Sequence, residues 1–252
     1  MKRFGEGIRG LVGASGGIGY HLAALRYASH LWQPFREDLA RELVRRIPKP
    51  SETDLVLVGP SGGYCFEPAF LSSFRSILAV DIDPLAGAVL RKRAEKARFV
   101  RQDFFLKLEA AEWDLERWLF EIQAPPRAMV LFSNLLGQLG FLFDERRMAK
   151  IEGGLVQALG TNVPWISFHD RFSVKVGISP RTFLEFPARP GSRELADAWT
   201  AKWVERGGSF GEIHEHEIGE WVSAGRGAFR YFPWRLDSHR TQLIEICGNG
   251  KN

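Results

Sequence analysis

From Asp54 onward the chain alternates short β-branched or leucine-rich runs with stretches of helical period, which is the pattern of βαβ units around a parallel sheet. The runs cover residues 54–58, 76–80, 97–100, 128–132 and 163–168. Asp83 can cap the helix after the second run, with Pro84 in its first position and Leu85, Val89 and Leu90 as its apolar stripe. Near the end, 229–236 and 241–247 read as two strands joined at Asp237-Ser238-His239, an antiparallel hairpin. The prediction is an α/β fold: a mostly parallel, seven-stranded sheet flanked by helices and closed by a C-terminal antiparallel hairpin. Residues 14–47 differ. There Leu22, Leu25, Ala28 and Trp32 recur near the helical period, Pro34 interrupts, Leu39, Leu43, Val44 and Ile47 resume it, and Pro48 and Pro50 close the region. The chain divides into an N-terminal helical extension, 1–50, and an α/β domain, 51–252.

At 252 residues the chain can bury one substantial core, and 45% hydrophobic with 25% charged residues excludes disorder and a membrane bundle. The longest apolar stretch, 128–143, is broken by Ser133, Asn134 and Gln138 and falls short of the ~20 residues that span a bilayer. Lys2, Arg3 and Arg9 precede no apolar leader core or cleavage site, so the expected location is the cytoplasm. Cys65 and Cys247 are too few for a disulfide framework or a cysteine-based zinc site, and are expected as buried thiols. A net charge of +4 permits an anionic partner without requiring one. The basic run Arg91, Lys92, Arg93, Lys96, Arg98 and Arg101 reads first as a solvated helix face, so nucleic acid is not the favoured partner.

Three glycine signatures compete for the chemistry. Gly13-Ala14-Ser15-Gly16-Gly17-Ile18-Gly19 resembles the cofactor loop of short-chain dehydrogenases. Such a loop must follow a buried strand, so that backbone N–H groups and a helix N-terminus meet a pyrophosphate. The residues before it are few and glycine-containing, Trp32 to Arg46 reads as helix, and no tyrosine has a lysine four residues on. Gly59-x-Ser61-x-Gly63 matches the nucleophile elbow of α/β-hydrolases, with Ser61 as nucleophile and His169, His214, His216 and His239 downstream. In that fold several strands precede the elbow; here helices do.

The third reading joins the same glycines to the strands and acids after them. Asp54-Leu-Val-Leu-Val-Gly-Pro-Ser-Gly-Gly63 resembles the first motif of class I S-adenosylmethionine-dependent methyltransferases. Ser76-Ile-Leu-Ala-Val-Asp-Ile-Asp-Pro84 resembles their second strand and its acidic end, 97–104 their third, and 128–137 their fourth. The match spans 54–168 in order, and the terminal hairpin agrees with the family's last two strands.

The resemblance implies a Rossmann-like domain and S-adenosylmethionine as cofactor. It places Gly59, Ser61 and Gly63 at a turn where the backbone meets the ligand, at the carboxyl ends of strands where ligands gather in open α/β sheets. Asp81 would accept from both ribose hydroxyls, since an ionised carboxylate offers two acceptor oxygens. Asp103 and Phe104 would lie at the adenine amine and ring, and Asn134 would face the transferable methyl. His169 and Asp170, after the fifth strand, are candidates for a base. Methyl transfer from a sulfonium is an in-line displacement, so the protein mainly supplies alignment.

Two positions depart from the family: Leu57 stands where an acid is usual and Ser61 where a glycine is usual. The leading expectation is a methyltransferase acting on a small-molecule acceptor. A catalytically inactive ligand-binding or partner module is the alternative, with a serine hydrolase using Ser61, or a nucleic-acid methyltransferase, further off. His214-x-His216 offers no third metal ligand in sequence and reads as a polar strand face; no metal is expected. Trp199 and Trp203, one helical turn apart, read as core, and the proline-rich segment 171–192 reads as a loop that could cover substrate.

Overall fold

A computed structural model describes residues 17–175, 182–205, 211–216, 219, 221 and 228–249. The dehydrogenase-like glycine segment falls largely outside them.

Two helices lead, α1 (Gly17–Tyr27) and α2 (Gln33–Arg46), followed by β1 (Asp54–Val58), α3 (Pro68–Ser72), β2 (Ser76–Asp81), α4 (Ala86–Arg93) and β3 (Ala97–Arg101). Then come α5 (Phe104–Ala110), α6 (Leu115–Glu121), β4 (Met129–Ser133), α7 (Leu139–Leu142), α8 (Glu145–Leu159) and β5 (Trp165–Lys175). The chain closes through β6 (Leu184–Phe186), α9 (Ser192–Val204), β7 (Ile213–Glu215), β8 (Phe229–Arg235) and β9 (Arg240–Gly248).

One sheet holds the strands in the order β3-β2-β1-β4-β5-β9-β8-β6, with β7 pairing β5 off that path. β1 to β5 are mutually parallel, and β9 runs antiparallel to both β5 and β8. The seven expected strands are present. Two strands of three residues each, β6 and β7, extend the sheet beyond the expected seven.

Every residue of β1 is buried, because helices cover both faces of the sheet. Alternation sorts the side chains: Leu55 and Leu57 join a core with Trp32, Phe35, Leu39 and Leu43, whereas Val56 and Val58 join one with Trp118, Leu155 and Trp199. Phe35 stacks on Trp234, ring centroids 4.5 Å apart, so the N-terminal helices share a core with the sheet. Trp199 and Trp203 are buried edge to face, as expected. Both cysteines are free and buried, and burial pushes the Cys65 thiol up to about 12.

Three expectations need correction. Leu22 and Leu25 are 62% and 73% exposed; the face that α1 buries is Gly17, His21 and Ala24, chosen by the hydrogen bonds of His21. Asp83 does not cap α4 directly, since its carboxylate accepts from Leu85 N in the turn ahead of the helix. The expected 171–192 loop begins as strand: Phe172 and Val174 are buried and carry β5 seven residues past Phe168.

Candidate functional site

β1 lies between β2 and β4, and the chain turns at its end with Gly59 at φ +69°, Ser61 at +48° and Gly63 at +70°. Such angles suit glycine; for serine they cost on the order of 1 kcal/mol or more. Ser61 is held there on both sides. Its N–H donates to Asp81 Oδ2 at 2.6 Å and its hydroxyl donates to Asp83 Oδ2 at 3.3 Å. Gly59 N donates to Val80 O at 2.9 Å, which brings the turn beside the end of β2. A Cβ on Gly59 would lie 3.1 Å from Leu135, so this glycine lets the loops after β1 and β4 meet.

Asp81 is 9% exposed, and its Oδ1 accepts from Asp83 N at 2.8 Å. Burial raises its pKa against the backbone N–H groups of Asp83 and Ser61, which favour the charge. Asp83, also buried, meets His21 Nε2 at 2.9 Å, and His21 Nδ1 lies 3.0 Å from the Tyr64 hydroxyl. Thus α1 closes on the turn through His21, a residue that the helical pattern of the sequence does not single out. Replacing His21 with alanine leaves buried polar partners unsatisfied and is expected to cost about 1–3 kcal/mol, read from urea unfolding.

Ser61 contacts Asp83, and Asp83 contacts His21; no described histidine touches Ser61. The hydrolase reading of Ser61 therefore lacks its base, and β1 is an inner strand of the sheet with no strand before it in the chain among the described residues.

Asp103 caps α5, its Oδ1 accepting from Leu106 N at 3.0 Å. Removing this cap with alanine is expected to cost about 1 kcal/mol, measured the same way. Phe104 is buried, its ring 5.0 Å from Trp118 and 5.4 Å from Phe132. Gln102 N donates to Asp81 O, so the ends of β2 and β3 adjoin.

Asn134, at φ +53°, turns the chain after β4, and its Oδ1 accepts from Asp170 N at 3.0 Å. Asp170 is fully buried and takes both Gln138 Nε2 and Gln242 Nε2. His216 Nδ1 lies 2.7 Å from its Oδ2. His169 faces the opposite side of β5, where Nδ1 is 3.2 Å from Ser167 Oγ and Nε2 is 3.6 Å from Glu245. The structure thus brings Asp170 to Asn134 but separates it from His169. Adjacent strand residues point to opposite faces.

His169, Glu245 and Cys247 hold donor atoms within 4.8 Å of one another. Arg189 Nε at 3.2 Å and Arg171 Nε at 3.9 Å already neutralise Glu245, which suits an ion-pair cluster rather than a cation site. Two clefts, of about 300 and about 590 Å³, are lined by α2 residues and include none of Gly59 to Gly63. No helix of the described residues is long and apolar enough to cross a membrane.

No protein-family model matches the chain, nor does any curated protein sequence. Solved structures that resemble it include the DhpI–SAH complex, at 13% identity over 97% of this chain and 99% of that one, with a TM-score of 0.44. The N-methyltransferase NodS from Bradyrhizobium japonicum WM9, in complex with S-adenosyl-L-homocysteine, is 10% identical over 86% and 89% of the two chains, with a TM-score of 0.42. By its own sheet order, five parallel strands closed by an antiparallel hairpin, the chain has the α/β fold that the resemblance to class I methyltransferases implies.

Proposed function

We propose that this chain is a cytoplasmic enzyme that binds S-adenosylmethionine at the carboxyl ends of β1, β2 and β4 and transfers its methyl group to a small-molecule acceptor. The observation that carries the reading is the pairing of Asp81 with the Gly59–Gly63 turn. A carboxylate has about four acceptor positions. Ser61 N and Asp83 N each take one, which leaves capacity for ribose hydroxyls on a group already oriented by backbone.

The residues fit the cofactor in that respect. Asp81 would hold the ribose, Ser61 with Gly59 and Gly63 the amino acid portion, and Asp103 the adenine amine. Phe104 turns its ring to the core, so its contribution at the adenine is backbone. When bound, the cofactor supplies an electrophilic methyl on a sulfonium; the chain's part is alignment and exclusion of water. Asn134 has its carbonyl oxygen engaged by Asp170 N, which leaves the amide NH2 to orient an acceptor. Asp170 adjoins Asn134 but is fully buried with its carboxylate held by Gln138 and Gln242, so its part is to position Asn134 and not to act as the base.

Because burial raises the pKa of Asp81 and ribose binding needs the carboxylate, affinity for S-adenosylhomocysteine should fall on acidification. The fall should begin above the ordinary aspartate value of about 3.9. Calorimetric titrations at successive pH values read this directly, and an affinity constant down to that value would remove Asp81 from the contact.

One observation favours a non-catalytic ligand module instead. Leu57, where the family has an acid, is fully buried, and Asp81 and Asp83 are both engaged by the turn itself. Incubation with S-adenosylmethionine and a panel of small amines and alcohols separates the two readings. Acceptor-dependent release of S-adenosylhomocysteine, followed by mass spectrometry, is the expected result; binding without release for any acceptor would favour the module.

A further inference from the structure

We propose that Ser173, His216 and Asp170 form a nucleophilic relay that takes an acyl group from an ester. His216 Nε2 lies 3.0 Å from Ser173 Oγ, and His216 Nδ1 lies 2.7 Å from Asp170 Oδ2. The first is the contact through which an imidazole takes a hydroxyl proton; the second is a charge contact, since His216 Nδ1 makes no hydrogen bond there.

The fold builds this arrangement from three elements. Asp170 and Ser173 are three residues apart on β5 and would point to opposite faces of a regular strand. The register against β9 shifts between Asp170 and Phe172, so Asp170 pairs with Ile244 and Ser173 with Gln242, two partners that share a face. The bulged residue, Arg171, accepts His216 N on its carbonyl oxygen at 3.0 Å and donates from Nη1 to His216 O at 3.1 Å. His216 is thereby fixed by its backbone just past β7. Bulges of this kind recur where a side chain must be re-aimed.

Burial grades along the relay. Asp170 is fully buried, its carboxylate held by the Gln138 and Gln242 amides; His216 is 8% exposed; Ser173 is only half-buried. The acid is therefore shielded and the hydroxyl is the end nearest solvent. Asp170 and Ser173 stand on the part of β5 that projects beyond β4, with His216 beside them just past β7, at the carboxyl edge where ligands of open α/β sheets bind.

In the step, Ser173 Oγ forms a bond to the carbonyl carbon of an ester while its proton passes to His216 Nε2. Collapse of the tetrahedral species breaks the carbon–oxygen bond to the leaving alcohol, which takes that proton. Water then attacks the acyl-serine with His216 again as base, releasing the carboxylic acid and restoring Ser173. No cofactor enters, so this inference stands or falls apart from the methyl-transfer reading.

The test is labelling with a fluorophosphonate, without S-adenosylmethionine, followed by peptide mass mapping. One phosphonyl adduct on Ser173 is expected, absent from Ser173→Ala, with labelling of His216→Asn slowed about 100-fold or more. Melting curves of each variant establish that it folds. No adduct on the folded wild-type chain, an adduct on another residue such as Ser61, or an unchanged rate in folded His216→Asn would overturn the proposal. If His216→Asn does not fold, the position of the wild-type adduct decides alone.

Discussion

Replacing Glu245 with glutamine should cost about 3–5 kcal/mol of stability, because it removes the buried anion that Arg171 and Arg189 share. Glu245 is fully buried on β9, facing His169, Arg171 and Arg189. Burial opposes its charge, yet His169 and the two arginines outweigh it, and the carboxyl titrates below its ordinary value. A carboxyl with a depressed folded pKa stabilises the fold above its unfolded value, near 4.5, and that contribution is lost as pH falls through the folded pKa. Urea unfolding of wild type and Glu245→Gln should therefore differ most near neutrality and converge in acid. A difference below about 1 kcal/mol at neutral pH would mean that the cluster relaxes or admits water instead. The Tyr231 phenol, whose ionisation burial and the neighbouring Glu245 both oppose, stays neutral throughout this range.

The second large effect belongs to Asp81. Two charge-assisted hydrogen bonds to ribose are worth about 1.5–3 kcal/mol each, so Asp81→Ala should weaken S-adenosylhomocysteine binding by about 100-fold to 10⁴-fold. Asp81 also holds Ser61 N and Asp83 N, so alanine frees the turn as well. Asp81→Asn keeps one acceptor oxygen and should lie between the two. Equilibrium dialysis of the three proteins reads the series, with circular dichroism to establish folding. Affinities within about threefold of one another would take ribose recognition away from this residue.

Much of the sheet is legible in the sequence because each parallel strand is buried on both faces and so reads as an apolar run between turn residues. Asp54–Val58 matches β1 residue for residue, and the hairpin of β8 and β9 falls where 229–236 and 241–247 place it. The end of β5 is not legible in the same way. Beyond Phe168 it carries His169, Asp170 and Arg171, and only its pairing with β9 keeps these polar residues in a strand. Periodicity places Leu22 and Leu25 inward on α1, but a histidine decides which face of that helix is buried. The turn at Ser61 is legible as a ligand loop, whereas its bonds to Asp81 and Asp83 depend on a neighbouring strand twenty residues away. His216 is the clearest miss. Alternation makes His214 and His216 look like one polar face; the strand in fact ends at Glu215, leaving His214 exposed and His216 buried against Asp170.

The Gly59–Gly63 turn and Asp81, taken together as an adenosyl site, are tested most directly by a crystal structure of the chain grown with millimolar S-adenosylhomocysteine. The predicted result is the ligand lying across the carboxyl ends of β1 and β2, with its ribose hydroxyls within hydrogen-bond distance of Asp81. Ligand seated only in the clefts along α2, or a saturating ligand that leaves Asp81 untouched, would contradict it.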